Sequence, residues 1–216
     1  MRFCFLLKGK FWSFLKMQNK QDGYEINIAS GALKGRKITL LSSEKTRSTK
    51  SIVADSFFDS LRDSVRDSVF AELFGGCGLM AVRALSEGAS RAFAFEKDKA
   101  SFGVLSKNRK NLGLDERFEI FLGDTFSLAL DVLNGSKIKN WNSRFILYLD
   151  PPFSIREGFD NIYEKCVDLL SKLDPDIAVF EHLSSVTLPK SIGKLTLKKS
   201  KKFGKTTLSY FFNEKV

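Results

Sequence analysis

Ser143-Arg144-Phe145-Ile146-Leu147-Tyr148-Leu149-Asp150-Pro151-Pro152-Phe153 decides how this chain is read. The apolar run, with aromatic and β-branched members, predicts a buried strand. Proline donates nothing to a sheet ladder, so the strand must end by Asp150. Asp150 then stands at the carboxyl end of a central strand, where open α/β sheets bind ligands. The two prolines form a stiff tether that carries the Phe153 ring. An acid and a backbone carbonyl can accept hydrogen bonds from a planar amino group while the ring stacks on its plane. A surface turn with one packed ring is the plainer alternative, and the flanking sequence has to separate the two.

Upstream lies a strand, a glycine turn and a helix. Ser68–Phe74 reads as the first strand of the main sheet, Gly75-Gly76-Cys77-Gly78 follows at once, and Leu79–Leu85 reads as a helix. That context gives a glycine motif its meaning, because the backbone can approach a ligand with no Cβ in the way. The pattern is Glu72-x-Phe74-x-Gly76-x-Gly78. It is neither the dinucleotide GxGxxG nor a phosphate-binding GxxxxGK[ST] loop. Arg91–Glu96 reads as a second strand ending in an acid, about twenty residues beyond the glycines, where a carboxylate can accept from both ribose hydroxyls. Asp98 is a plausible N-cap for the next helix, which Gly113 ends. Arg117–Asp124 is a third strand, again ending in an acid. Asp124 can accept an adenine amino group or cap the helix from Phe126 to Leu133, and the two roles compete for one side chain. Successive strand ends carrying a glycine turn, an acid and an acid fit adenosine better than pyrophosphate. They point to S-adenosylmethionine.

The remaining elements frame this core. Tyr24–Ile28 alternates as a strand, Ser30–Gly35 is a flexible break, and Lys37–Leu41 reads as the return strand. Lys34, Arg36 and Lys37 give that hairpin a basic edge suited to phosphate contact or to solvation. Thr46–Lys50 reads as a loop from which Arg47 and Thr49 can reach the pocket. Ile52, Val53, Ser56, Phe57, Ser60 and Leu61 form a helical face. Gly135–Asn142 is a polar linker, with Trp141 a packing residue. Beyond the proline motif, Ile155, Phe159, Ile162, Tyr163, Cys166, Leu169 and Leu170 make an apolar helical face, with Cys166 in the core. Asp176–Glu181 is a fifth strand. His182 follows, but adjacent strand residues point to opposite faces, which argues against an acid–base pair with Glu181. Gly193–Lys205 and Thr206–Phe212 read as a closing hairpin turning near Gly204. Its lysines are the densest basic patch, able to meet RNA or to protect a sheet edge.

The chain has 216 residues and 43% hydrophobic content, enough for one α/β domain with a sizeable core. Its formal net charge of +10 favours attraction to polyanions. Three cysteines without metal-ligand spacing and a single histidine exclude histidine-rich or CxxC metal centres and suggest a reducing, cytoplasmic compartment. No apolar run reads as a membrane span. Residues 1–20 read as an extension, either an amphipathic helix or a disordered lead. Met17 offers an alternative start, and the segment is expected to be dispensable.

Taken together, IASGALKGRKI, Arg47-Ser48-Thr49, ELFGGCG, LMAVRALSEGA, FEKDK, KNRKNLG, the Gly123-Asp124 pair, DPPF and KKFGKTTLSYF resemble the RsmD family of bacterial methyltransferases. That family modifies a guanine exocyclic amine in small-subunit ribosomal RNA. The resemblance runs from about Ile26 to Phe211. It implies a class I S-adenosylmethionine-dependent methyltransferase: a Rossmann-like α/β fold whose seven-stranded mixed sheet has the order 3-2-1-4-5-7-6, with a β-hairpin ahead of it. It divides the chain into an extension (1–20), a hairpin with a substrate-side loop (21–50) and a catalytic domain (51–216). It implies methyl transfer to guanine N2 in 16S rRNA by a monomer, without metal, on a small-subunit particle or assembly intermediate. Asp150, Pro151, Pro152 and Phe153 would carry the chemistry. Glu72, Phe74, Gly76, Gly78, Glu96 and Asp124 would hold the cofactor. Lys34, Arg36, Arg47, Thr49, Lys201 and Lys202 would meet RNA. The rival readings are adenine-N6 methylation of DNA or another RNA, and a non-catalytic RNA-binding protein. The chain departs from the family pattern at Ser48, where proline is usual, at Ser51–Asp55, which lacks two basic residues, at Glu72, where aspartate is usual, and at Gly75.

Overall fold

A computed structural model of the protein describes residues 23–41, 47–134, 143–152 and 161–214, with backbone alone for 47–50. Strands β1 (Gly23–Asn27) and β2 (Lys37–Leu41) pair antiparallel as a separate hairpin, with Ile26 opposite Ile38. Alternation along β2 sends Ile38 and Leu40 into the core. The connection between them is docked: the Ala32 amide donates to Ser86 O, and a Cβ on Gly31 would lie 2.0 Å from that oxygen.

Helix α1 (Arg47–Val65) follows. The loop expected at Thr46–Lys50 is therefore helical from Arg47 onward. Residues 47–65 contain no proline or glycine to stop it. The buried face also differs from the sequence reading. Val53, Ala54, Phe57, Phe58, Leu61 and Val65 are buried, whereas Ile52 is 55% exposed. Phe57 sits edge-on to Phe58, Phe70 and Tyr148. Asp55, within the altered run, pairs with the buried Arg83 at 2.5 Å.

The main sheet is built from β3 (Val69–Leu73), β4 (Arg91–Glu96), β5 (Phe118–Leu122), β6 (Phe145–Leu149), β7 (Ile177–Leu183), β8 (Ser191–Ile192), β9 (Leu195–Phe203) and β10 (Thr206–Asn213). Its order is β5-β4-β3-β6-β7-β10-β9-β8. The first five are parallel, and β10 enters antiparallel beside β7. This is the expected order 3-2-1-4-5-7-6, with a two-residue strand added outside β9. Helices α2 (Leu79–Ser86) and α3 (Lys99–Asn111) join α1 on one face, while α4 (Thr125–Leu133) and α5 (Ile162–Lys172) cover the other. Every residue of β6 is buried, as a strand covered on both faces requires. Ile162, Tyr163, Cys166, Leu169 and Leu170 are the buried face of α5, as read from the sequence. Burial pushes the Cys166 thiol up to about 12, so it stays a small apolar group. Trp141, Ile155 and Phe159 lie outside the described residues. No helix among the described residues is long and apolar enough to cross a membrane.

The core assignment is checked by two substitutions on α1. Phe57→Ala should cost about 3–5 kcal/mol through the cavity it leaves. Ile52→Ala should stay within about 0.5 kcal/mol. Urea unfolding curves measure both, and equal shifts would contradict the observed face.

Candidate active site at the carboxyl edge of the sheet

The parallel strands end on one edge, and β3 and α2 set its geometry. Glu72, only 5% exposed, accepts from the amides of Ala81 at 2.9 Å and Met80 at 3.4 Å. Those are orphan donors in the first turn of α2. Gly78, the N-cap, has no side chain to serve them, so the strand supplies the cap. The turn between is tight: Gly75 N donates to Phe95 O and Gly78 N to Gly75 O, both at 2.7 Å. Gly76 and Gly78 are left-handed, and a Cβ on Gly78 would stand 2.3 Å from Leu105 Cδ1. Phe74 is also left-handed at φ 66, an unusual conformation for a bulky residue. Its ring meets Phe126 edge-on.

Glu96 ends β4 beside that turn. One carboxylate oxygen accepts from Gly76 N at 2.7 Å and the other from Asp98 N at 2.6 Å. Burial raises its pKa from the usual 4.5, partly opposed by those two amides. Asp98 caps α3 through Ser101 N. At Asp124 the cap role is the one in place: its Oδ1 accepts from Phe126 N at 3.0 Å and Ser127 N at 3.3 Å, and Oδ2 pairs with Lys97.

Asp150 lies one residue past β6, its amide 3.4 Å from Leu73 O. With Glu72, Phe74, Gly76, Tyr148 and Glu181 it lines a cleft at the sheet edge. Pro151 and Pro152 follow, and Phe153 lies outside the described residues. Two members of this group, Tyr148 and Glu181, are not among the site residues that the sequence suggests. The buried Tyr148 hydroxyl donates to the Glu181 carboxylate. Burial, and then the charges of Glu181 and Asp150, hold the Tyr148 pKa well above its ordinary value. Only the register between β6 and β7, which pairs Leu149 with Phe180, brings these residues together. His182 points to the opposite face, where Nδ1 donates to Leu183 O and Nε2 accepts from Ser209 Oγ, each at 2.9 Å. Burial lowers its pKa, and it forms no pair with Glu181.

The basic residues separate by role. Arg36 does not project freely from the hairpin edge: its guanidinium donates to Leu112 O at 3.0 Å and Asn111 O at 2.6 Å, closing the end of α3. Lys37 pairs with Glu25 at 2.9 Å. Lys201 donates to Ser60 Oγ at 2.8 Å and Ser56 Oγ at 3.3 Å, pinning the terminal hairpin to α1. Lys34 and Lys202 are exposed. Arg47 and Thr49 are in the first turn of α1, and their side chains lie outside the described residues.

Sheet order, edge position and helix placement define the class I S-adenosylmethionine-dependent methyltransferase fold, as in the solved structure "Putative methyltransferase yhhF from Escherichia coli", with a TM-score of 0.70. That structure is 24% identical, over 88% of this chain and 99% of its own, so the likeness is one of fold. The chain belongs to the family described as "Conserved hypothetical protein 95", whose model matches residues 26–212. Two relatives are similar in sequence. "Putative rRNA methyltransferase YlbH" of Bacillus subtilis is 25% identical over 86% of this chain and 98% of its own. "Ribosomal RNA small subunit methyltransferase D" of Haemophilus influenzae is 27% identical over 76% and 82%.

The position of Arg36 gives a stability prediction. Arg36→Ala removes two bonds to helix-terminal carbonyls and should lower stability by about 1 kcal/mol. A denaturant midpoint unchanged from the parent would return Arg36 to the free basic surface.

Proposed function

We propose that the chain transfers a methyl group from S-adenosylmethionine to the exocyclic N2 amine of a guanine in 16S ribosomal RNA. The observation that carries this reading is Asp150 at the end of the central strand, in one cleft with the glycine turn. The named function of the Haemophilus relative supports the substrate class. The residues present fit the cofactor. A turn held against its neighbours without Cβ atoms leaves room for a backbone contact, and the carboxylates of Glu72, Asp150 and Glu181 line a cleft suited to a cation. When bound, S-adenosylmethionine supplies a methyl group already activated by a positive sulfur.

Glu96 would accept from the ribose hydroxyls, and Asp124, beside its cap, from the adenine amine. The turn from Phe74 to Gly78 would flank the methionine end. Asp150 and the Pro151 carbonyl would accept the two hydrogens of the guanine amine, aiming its lone pair and stabilising charge as the bond forms. Pro152 holds the tether, and Phe153 would stack on the extruded base. Lys34, Arg47, Thr49 and Lys202 would place RNA phosphates. Lys201 would do so through the hairpin position it fixes. In this reading residues 21–50 serve the substrate side and residues 51–216 form the catalytic domain.

A methyl-label assay offering small ribosomal subunits, free rRNA and genomic DNA tests this directly. Label should appear in rRNA as N2-methylguanine. Label only in DNA, or as N6-methyladenine, would reject the reading. Asp150→Ala should slow single-turnover transfer by roughly 10²–10³-fold while cofactor affinity stays near the parent's. Lys202→Ala should weaken RNA binding across sequences and lower its salt slope by about one, leaving the saturated chemical step intact.

Glu96 adds a pH dependence. Burial raises its pKa above 4.5, and the ionised form is the one that accepts from Gly76 N and Asp98 N and would accept from the cofactor. Acidification through the raised value protonates it, and cofactor affinity should fall. Folding responds in the opposite sense. The buried group favours the folded state below its unfolded pKa, and that contribution is lost as pH rises through the folded value. Calorimetric titration of cofactor from about pH 4 to about pH 8, a span that covers a raised carboxylate, reads the first effect, and Glu96→Gln should flatten it.

A further inference from the structure

Glu181 stands on the far side of Asp150 from the cofactor elements. The glycine turn, Glu96 and Asp124 lie at the ends of β3, β4 and β5, all to one side of β6 in the sheet. Glu181 belongs to β7, on the other side. Because Leu149 pairs with Phe180, Asp150 and Glu181 are the next residues along two neighbouring parallel strands. Both line the cleft. Two carboxylates thus stand side by side on the wall of one cleft, where a ligand edge with two adjacent donors would meet both.

We propose that Glu181 is the residue that reads the base: it accepts the guanine N1–H while Asp150 accepts the neighbouring amine. The inference rests on the methyl-transfer reading above and deepens it. Guanine presents two donors side by side at N1 and N2. Adenine presents an acceptor at N1 beside its amine, and a carboxylate facing that lone pair repels it. An Asp150–Pro clamp alone recognises only an amino group. A second acceptor beside it selects the guanine edge.

Tyr148 is the positioning residue. Its ring is 2% exposed and edge-on to Phe57 at 5.3 Å, so it cannot swing away. Its hydroxyl donates to Glu181, and its raised pKa keeps the proton on the phenol. A carboxylate offers about four acceptor positions, so one bond from the tyrosine fixes the group's orientation without exhausting it.

The test compares rRNA carrying guanine or 2-aminopurine at the methylated position. Both bases have the amine to be methylated, but 2-aminopurine has a bare N1 acceptor. The parent should prefer guanine by about 10–100-fold in kcat/KM. Glu181→Gln supplies an amide donor to that acceptor. It should lower guanine turnover and narrow or invert the ratio, with cofactor affinity unchanged by calorimetry. Tyr148→Phe, which keeps the buried ring, should narrow the ratio several-fold and carries the test if Glu181→Gln does not fold. Guanine methylation with an unaltered ratio in both variants would overturn the assignment while leaving the methyltransferase reading standing. Loss of cofactor affinity in Glu181→Gln would place the residue on the cofactor side and also overturn it. Methylation of adenine by the parent would sink both readings.

Discussion

The carboxylate of Glu72 is the constraint on which the site depends. An acid buried this deeply is costly unless its oxygens are met, and they are met by amides of α2. The interaction joins the first sheet strand to the helix that follows the glycine turn, so the turn cannot relax. Gly78 is then pressed against Leu105 and Gly75 against Ala94, with Phe74 held in a left-handed conformation. Glu96 takes its orientation from the same loop, through Gly76 N. A glutamate side chain at this position has the reach to bond two successive amides from within the strand.

Much of the fold is legible because its elements announce themselves locally. The apolar run before Asp150-Pro151, the glycine turn between strand and helix, and the period of α5 each carry their own signal. The sheet order comes from resemblance. Periodicity does not encode which strand lies beside which. The misreadings have physical causes. A polar first turn, Arg47–Lys50, reads as a loop until α1 continues it. Ile52 reads as buried because one exposed apolar residue at helical spacing cannot be told from a core one. Arg36 reads as a phosphate contact because its partners, the carbonyls closing α3, are more than seventy residues away.

The site is legible in the same uneven way. Glu72, Glu96, Asp124 and Asp150 stand out because each lies at or near the end of a strand. Asp124 is a case where sequence allows two roles and the structure displays the cap. Glu181 is visible as the end of a strand, but its only sequence neighbour of chemical interest, His182, faces the other side of the sheet and is satisfied there. Its neighbours in space, Tyr148 and Asp150, are set by the β6–β7 register.

Charge is distributed so that attraction and exclusion act at different places. The chain carries a formal +10, yet the cleft is lined by three carboxylates. On the reading proposed above, exposed lysines draw a phosphate backbone to the surface, while the acids repel phosphate from the cleft itself. A sulfonium is cationic and a guanine edge is rich in donors, so both suit a space that an RNA backbone avoids. The lysines nearest the helix face are not interchangeable with the exposed ones. Lys201 is tied to Ser56 and Ser60, and Lys199 lies over the Tyr210 ring at 4.6 Å, where burial and then Lys201 lower its pKa. Alternation along β9 thus gives one set of lysines to holding the hairpin on α1 and leaves Lys198 and Lys202 exposed. The sheet's period of two therefore decides which positive charges build the scaffold and which are left for a polyanion.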